Sequence, residues 1–308
     1  MTTKRITVSV PTSELCDALH ELAPDVTVLE WDMSGPPPTH EIDIVVPPYM
    51  SPPSMLRRLV NVRTRLVQSQ MVGYDGVRDE LPPGPVYANA TSVHETSTAE
   101  LVLALILASQ RGIPDFVRAS EEGRWAPAWH ESLADHTVLL VGYGGVARAI
   151  ESRLQGFEVT IERLARTERS DAKGTVHGFD SLHRLLAISD IVVVVTPLTP
   201  LTTDLIDDAF LSRMRDGTLL VNVSRGRVAD TNALLAHASG GRLRLALDVT
   251  DPEPLPTGHP LFALPNVLIS PHVGGMTSAM LPRMARLLNE QVTRMQRDED
   301  PINVALPA

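Results

Sequence analysis

Six short runs between residues 137 and 269 are apolar at consecutive positions rather than alternate ones. They are Thr137–Val141, Val159–Leu164 (the most mixed), Ile191–Val195, Leu219–Val223, Leu243–Val249 and Val267–Ile269. A strand with one wet face alternates, whereas a strand covered by helices on both faces does not, and strands of that kind belong to parallel sheets built from βαβ units. Residues 99–278 are therefore expected to form one doubly wound α/β domain. Glu100–Gln110, apolar nearly all round, is expected as a buried helix near its start.

Upstream, Ile6–Val10, Val26–Leu29, Ile42–Val46 and Leu66–Val67 read as strands. Helical patterns such as Leu56, Leu59 and Val60 lie between them, and Pro36–Pro38, Pro47-Pro48 and Pro52-Pro53 mark the turns. Near the other end, Leu281, Met284, Leu288, Val292 and Met295 recur at three- and four-residue spacing. They predict a tail helix that ends near Arg297 and packs back on the N-terminal part. A chain of 308 residues has the length of about two domains. The expectation is an α/β protein with two doubly wound parallel-sheet domains, one made of residues 1–98 plus 279–308 and the other of residues 99–278.

Composition removes several function classes. The chain has 27 Lys and Arg against 37 Asp and Glu, a net charge of −10, which disfavours binding to nucleic acid or to an anionic membrane surface. Cys16 is the one cysteine, so no intrachain disulfide and no cysteine-built zinc site is expected, and a reducing, cytoplasmic compartment fits best. The most apolar run, Leu101–Ala108, falls far short of the ~20 residues that cross a bilayer. Met1–Val10 lacks the apolar stretch of a signal peptide. His40, His94 and His130 show no ligand pattern and read as surface or structural residues, and no metal site is expected.

The strongest local signal is Leu139-Leu140-Val141-Gly142-Tyr143-Gly144-Gly145-Val146-Ala147, a predicted strand followed by a Gly-rich turn. A helix opens there, with Val146, Ile150 and Leu154 at four-residue spacing. Gly142 permits the tight turn, Gly144 lets the backbone approach a pyrophosphate, and Gly145 and Val146 begin the helix whose positive end would hold it. Dinucleotide binding is the expected use. An NAD site usually adds an acid at the end of the second strand, about 20 residues on. Here that position falls near Ala165, followed by Arg166-Thr167-Glu168-Arg169. The guanidinium of Arg166 with the hydroxyl of Thr167 suits a 2′-phosphate. NADP is therefore preferred over NAD, and Glu162 would serve NAD if the strand ended earlier.

Three further segments end predicted strands on a polar group. Asn222-Val223-Ser224-Arg225-Gly226 presents an Arg, Asp248-Val249-Thr250-Asp251-Pro252-Glu253-Pro254 a Glu between prolines, and Ser270-Pro271-His272-Val273-Gly274-Gly275 a His. Ligands of open α/β sheets bind at the carboxyl ends of the strands, and all three groups belong to that edge.

With these segments, with Thr98-Ala99-Glu100, with the run from Trp125 to Ala147 and with Thr196-Pro197-Leu198-Thr199-Pro200, the chain resembles the D-isomer-specific 2-hydroxyacid dehydrogenases over nearly its whole length. The resemblance implies a Rossmann cofactor domain inserted into a flavodoxin-like substrate domain, and a homodimer. It implies that Arg225 holds the carboxylate and carbonyl of a small 2-oxo acid. His272 is then the proton donor in reduction, and Glu253 hydrogen-bonds and orients it. It further implies that Val72 and Gly73 offer backbone N–H groups to the substrate. Thr196, Pro197, Val223, Ser224, Asp248, His272 and Gly274 would line the cofactor. Tyr49, Met50, Trp125 and Trp129 are candidates for the side-chain pocket, the two Trp residues equally for core packing or a dimer contact. The chain given runs out soon after the tail helix, and the expectation is an enzyme without a C-terminal regulatory domain. The activity implied is reduction of a substrate such as glyoxylate or hydroxypyruvate. The alternative is a non-enzymatic corepressor-like protein that senses the dinucleotide.

Overall fold

The structure, a computed structural model, describes residues 5–308; the first four residues of the Met1–Val10 segment read above lie outside them. The chain runs β1 (Thr7–Val10), α1 (Ser13–Leu22), β2 (Thr27–Glu30), β3 (Ile44–Val45), β4 (Leu66–Gln68) and β5 (Val86–Ala88). It continues through α2 (Glu95–Gln110), α3 (Ile113–Glu121), β6 (Thr137–Val141), α4 (Gly145–Leu154) and β7 (Thr160–Leu164). Next come β8 (Arg169–Asp171), β9 (Gly174–Val176), α5 (Leu182–Leu186), β10 (Ile191–Val194), α6 (Asp208–Arg213) and β11 (Leu219–Asn222). The last elements are α7 (Thr231–Ser239), β12 (Arg244–Leu247), β13 (Val267–Ile269), α8 (Met280–Gln296) and β14 (Val304–Leu306).

These elements divide into two units, residues 5–94 with 276–308, and residues 95–275. The first holds a six-stranded sheet in the order β14-β5-β4-β3-β1-β2. Its strands are parallel except β14, which closes the edge antiparallel to β5. The order 2-1-3-4-5 of its parallel strands is the flavodoxin-like one. Helix α8 packs on α1 and buries Met284, Leu288, Val292 and Met295 against Leu15 and Leu19, so the tail returns to the N-terminal core as its spacing predicts. One expectation changes here, and two strands are new. The segment read as helical around Leu56 is a 3-10 helix, Pro53–Asn61, entered through a proline. The short strands β5 and β14 carry too few apolar residues to stand out in the sequence.

The second unit holds a six-stranded, wholly parallel sheet, β13-β12-β11-β10-β6-β7. Consecutive residues of one strand feed opposite cores. In β6, Leu139 packs with Val192, Leu220 and Leu245, whereas Leu140 packs with Val102, Ile106 and Ile150. This is why the strands show no polar face: both sides are covered, one by α5, α6 and α7 and the other by α2 and α4. Leu139 is fully buried, and Leu139→Ala is expected to cost about 2–5 kcal/mol, the range for such a cavity. Urea unfolding followed by circular dichroism checks this. Where a third strand would flank β7, the chain instead makes the exposed β8–β9 hairpin and a single parallel bridge, Leu164 to His177.

Among the described residues no helix is long and apolar enough to cross a membrane. Among them, too, no group of three or more His, Cys, Asp or Glu could hold a metal ion. The fold is thus the α/β pair of doubly wound sheets, with a Rossmann unit inserted in the chain between the two parts of a flavodoxin-like one.

Candidate active site

The strand order reverses at β6: β7 lies on one side of it and β10 on the other. The crevice outside the carboxyl ends at such a switch point is where open α/β sheets bind ligands. The Gly142 loop leaves β6 there. Gly142 adopts φ +95°, and a Cβ on it would lie 3.0 Å from the Val195 carbonyl and 3.1 Å from Thr196 Cγ2, so only glycine serves at this turn. Gly144 is the N-cap of α4, which receives no side-chain cap, and a Cβ on Gly144 would meet nothing within 4 Å. There is thus room above Gly144 for an anion at the helix start, while a Cβ on the next residue, Gly145, would lie 3.0 Å from Glu95 Oε1, so the Glu95 side chain borders the same turn. Thr196, at the neighbouring strand end, is 9% exposed, and its buried Oγ1 has no hydrogen-bond partner among the described residues. A helix start without a side-chain cap, the room above Gly144 and the unpaired Thr196 hydroxyl fit a dinucleotide's pyrophosphate.

The adenosine side follows β7. That strand runs to Leu164, so Glu162 stands two residues inside it, and its carboxylate lies 3.3 Å from His177 Nε2. The earlier strand end that would have favoured NAD does not occur. Arg166 and Thr167 come next and are exposed.

The catalytic candidates leave three adjacent strands in register, Asn222 pairing with Leu247 and Leu247 with Ile269. Local hydrogen bonds then shape each loop. Asn222 Oδ1 accepts from Ser224 N (3.0 Å) and Oγ (2.6 Å), and Asn222 Nδ2 donates to the Arg225 carbonyl (3.3 Å). Arg225 is half-buried and donates to the Ser224 carbonyl at 2.7 Å. Val223 is half-buried, and Pro197, after Thr196, is exposed.

Asp248 is 3% exposed and organises the His272 turn. Its carboxylate accepts from Ser270 Oγ (2.6 Å), Val273 N (3.0 Å) and Gly274 N (3.0 Å), while its carbonyl accepts from His272 N (2.8 Å). These bonds hold His272 at φ 53°, in the left-handed region that non-glycine residues rarely adopt. The result is a direct pair: His272 Nδ1 and Glu253 Oε1 are 2.5 Å apart. With Nδ1 committed to the carboxylate, Nε2 is the ring nitrogen available to a ligand.

The sequence reading singled out neither Asn222 nor Gly226. A Cβ on Gly226 would fall 1.8 Å from the Thr250 carbonyl oxygen, so the Arg225 and Glu253 loops touch backbone to backbone. The only sequence signal was a Gly directly after the Arg.

Val72 and Gly73 lie in the other unit, on a half-buried bend where Asn89 Nδ2 donates to the Val72 carbonyl at 2.9 Å. In that unit Met50 has a left-handed backbone, φ 59°, and the Tyr49 ring lies 5.6 Å from that of His94, which is buried and bonds the Gln70 carbonyl. Trp125 and Trp129 are fully exposed, which excludes core packing for either.

The family model for the D-isomer specific 2-hydroxyacid dehydrogenase, NAD binding domain, matches residues 103–274. The chain is 34% identical over 252 residues to a glyoxylate reductase of Pyrococcus furiosus, covering 78% of this chain and 75% of that protein. It is 32% identical over 275 residues to a human glyoxylate reductase/hydroxypyruvate reductase, covering 83% of each. A D-isomer specific 2-hydroxyacid dehydrogenase from Xanthobacter autotrophicus Py2, solved in complex with NADPH and MES, superposes with a TM-score of 0.83 at 29% identity, over 98% of both chains. The dinucleotide cradle, the parallel sheet and these likenesses agree: the chain belongs to the D-isomer-specific 2-hydroxyacid dehydrogenases and is an NAD(P)-dependent oxidoreductase acting on CH–OH groups.

Proposed function

We propose that the chain is an NADPH-preferring reductase of small 2-oxo acids such as glyoxylate or hydroxypyruvate. The observation that carries this is the Glu253–His272 pair, formed on the same sheet edge as the Gly142 cradle and the Arg225 loop. A bound nicotinamide supplies the hydride. Arg225 holds the substrate carboxylate and polarises the carbonyl, since a guanidinium keeps its charge and offers a planar fork. His272 delivers a proton from Nε2 to the developing alkoxide, and Glu253 fixes the ring and supports its charge. Asp248, its carboxylate occupied by the 270–274 turn, acts by holding His272 in place.

Support for NADPH comes from Ala165, Arg166 and Thr167 at the end of β7, and from NADPH in the Xanthobacter relative. Val223, Ser224, Pro197 and Gly274 complete the proposed cofactor lining. The same reading makes the enzyme a cytoplasmic homodimer, with the exposed Trp125 and Trp129 as contacts between copies.

The test is NADPH consumption with a panel of 2-oxo acids, repeated with NADH. Turnover of at least one short 2-oxo acid, with a lower KM for NADPH, is expected. Arg166→Glu should raise the KM for NADPH at least about tenfold and leave that for NADH little changed, because it places an anion against the 2′-phosphate. Dinucleotide binding without turnover of any acid would show a sensor instead, and an unchanged preference in Arg166→Glu would refute the NADPH assignment.

A further inference from the structure

The buried face of α4 consists of Ala147, Ile150, Leu154 and, among them, Glu151, which is 1% exposed. An acid on an apolar stripe is costly unless it is paired and fully hydrogen-bonded. Glu151 is paired three times. It accepts from the Tyr143 phenol, from Arg163 through Nε (2.8 Å) and Nη2, and from Lys173 Nζ at 3.2 Å. Burial pushes the Glu151 carboxyl up, but the bonds from Arg163, Tyr143 and Lys173 outweigh it and hold the group below its ordinary value. Burial, with the bond to the Glu151 carboxylate, pushes the Tyr143 phenol up to about 12.

The three partners come from different segments. Tyr143 is in the Gly-rich loop, Arg163 in β7, and Lys173 in the turn between β8 and β9. The Tyr143 ring also carries two guanidinium groups, Arg163 at 5.9 Å and Arg169 at 5.8 Å from its centre. Arg169 Nη2 donates to the Tyr143 carbonyl at 3.1 Å and Nη1 to the Thr167 carbonyl at 3.5 Å. Both partners are carbonyls, which leave its charge in place. Arg169 thus spans from the segment after β7 to the Gly-rich loop, the two borders of the adenosine end of a Rossmann site.

We infer that Glu151 is a positioning residue for cofactor discrimination: it fixes Tyr143, and through Tyr143 it holds Arg169 as a second cation, beside Arg166, for a 2′-phosphate. This rests on the NADPH reading above. A phosphate monoester carries between one and two negative charges near neutrality, more than one guanidinium neutralises. Of the acids nearby, Glu162 is engaged by His177, and Asp171 accepts the Lys173 backbone N–H at 2.8 Å. Glu168 stands between the two arginines in sequence, so the pair has to be aimed as well as charged.

The test is calorimetric binding of 2′,5′-ADP and of 5′-AMP to the full chain and to its R169Q, E151Q and Y143F variants, with thermal melting as the check on folding. The wild type should bind 2′,5′-ADP the more tightly. R169Q should weaken 2′,5′-ADP about tenfold, the size of one charge-assisted contact, with 5′-AMP within about twofold. E151Q and Y143F should show part of the same selective loss. Should E151Q not fold, Y143F, which removes one hydroxyl, carries the comparison alone. A wild type that prefers 2′,5′-ADP, with variants that keep the preference or lose both ligands equally, overturns the inference and leaves the NADPH reading standing. A wild type that binds both ligands equally overturns the NADPH reading, and the inference with it.

Discussion

Replacing His272 by Asn is expected to lower turnover of a 2-oxo acid by about 10²–10⁴-fold, the usual worth of a positioned acid-base group. The choice of Asn matters. His272 sits at φ 53°, and Asn is among the few side chains that adopt this backbone readily. The turn held by Asp248 should therefore survive, and the loss reports proton transfer instead of misfolding. Dinucleotide affinity, followed by the fluorescence of bound NADPH, should fall far less than turnover: His272 borders only the nicotinamide end, and the cradle at Gly142, Gly144 and Thr196 belongs to other loops. A loss of less than about tenfold would place the proton donor elsewhere.

Gly226→Ala is expected to do more damage than any other small substitution near the site. The added carbon would lie 1.8 Å from the Thr250 carbonyl oxygen, 2.2 Å from its carbon and 2.9 Å from Asp251 N. All three are backbone atoms, so no side chain can rotate away. The loops carrying Arg225 and Glu253 must separate, and misplacement by about 1 Å can cost 10² in rate. Overpacking of this kind also destabilises by about 1–3 kcal/mol or more. Kinetics together with a melting curve should show both losses. A fully active, fully stable variant would mean that the close approach of the two loops plays no part in holding the site.

The parts of the molecule that announce themselves in the sequence are those governed by local chemistry. Leu139, Leu140 and Val141 betray a strand buried on both faces, and Gly142 and Gly144 betray a turn against an anion. Arg225, Glu253 and His272 each follow a predicted strand, and parallel topology alone puts strand ends on one edge. What stayed hidden depends on contacts distant in sequence. The approach of Gly226 to Thr250 needs two loops 24 residues apart to be seen together. Strand β14 pairs with β5 across more than 200 residues, and three apolar-looking positions near a terminus carry no period by which to recognise it. Glu151 was detectable in principle: an acid four residues after Ala147 and three before Leu154 sits on the buried stripe, and such a residue signals a partner. Its partners, Tyr143, Arg163 and Lys173, could not be named without the fold. Glu162 shows the reverse case: the strand ends two residues later than one reading allowed, and Glu162 lies within it.

The most direct test of the proposed chemistry is product analysis. Wild type, Arg225→Ala and His272→Asn are each incubated with hydroxypyruvate and NADPH, and the hydroxy acid formed is resolved by chiral chromatography. The account predicts D-glycerate from the wild type, one molecule for each NADPH consumed, and only traces from the two variants while both still bind NADPH. D-glycerate formed by either variant at the wild-type rate, or no product from a wild type that binds NADPH, would contradict it.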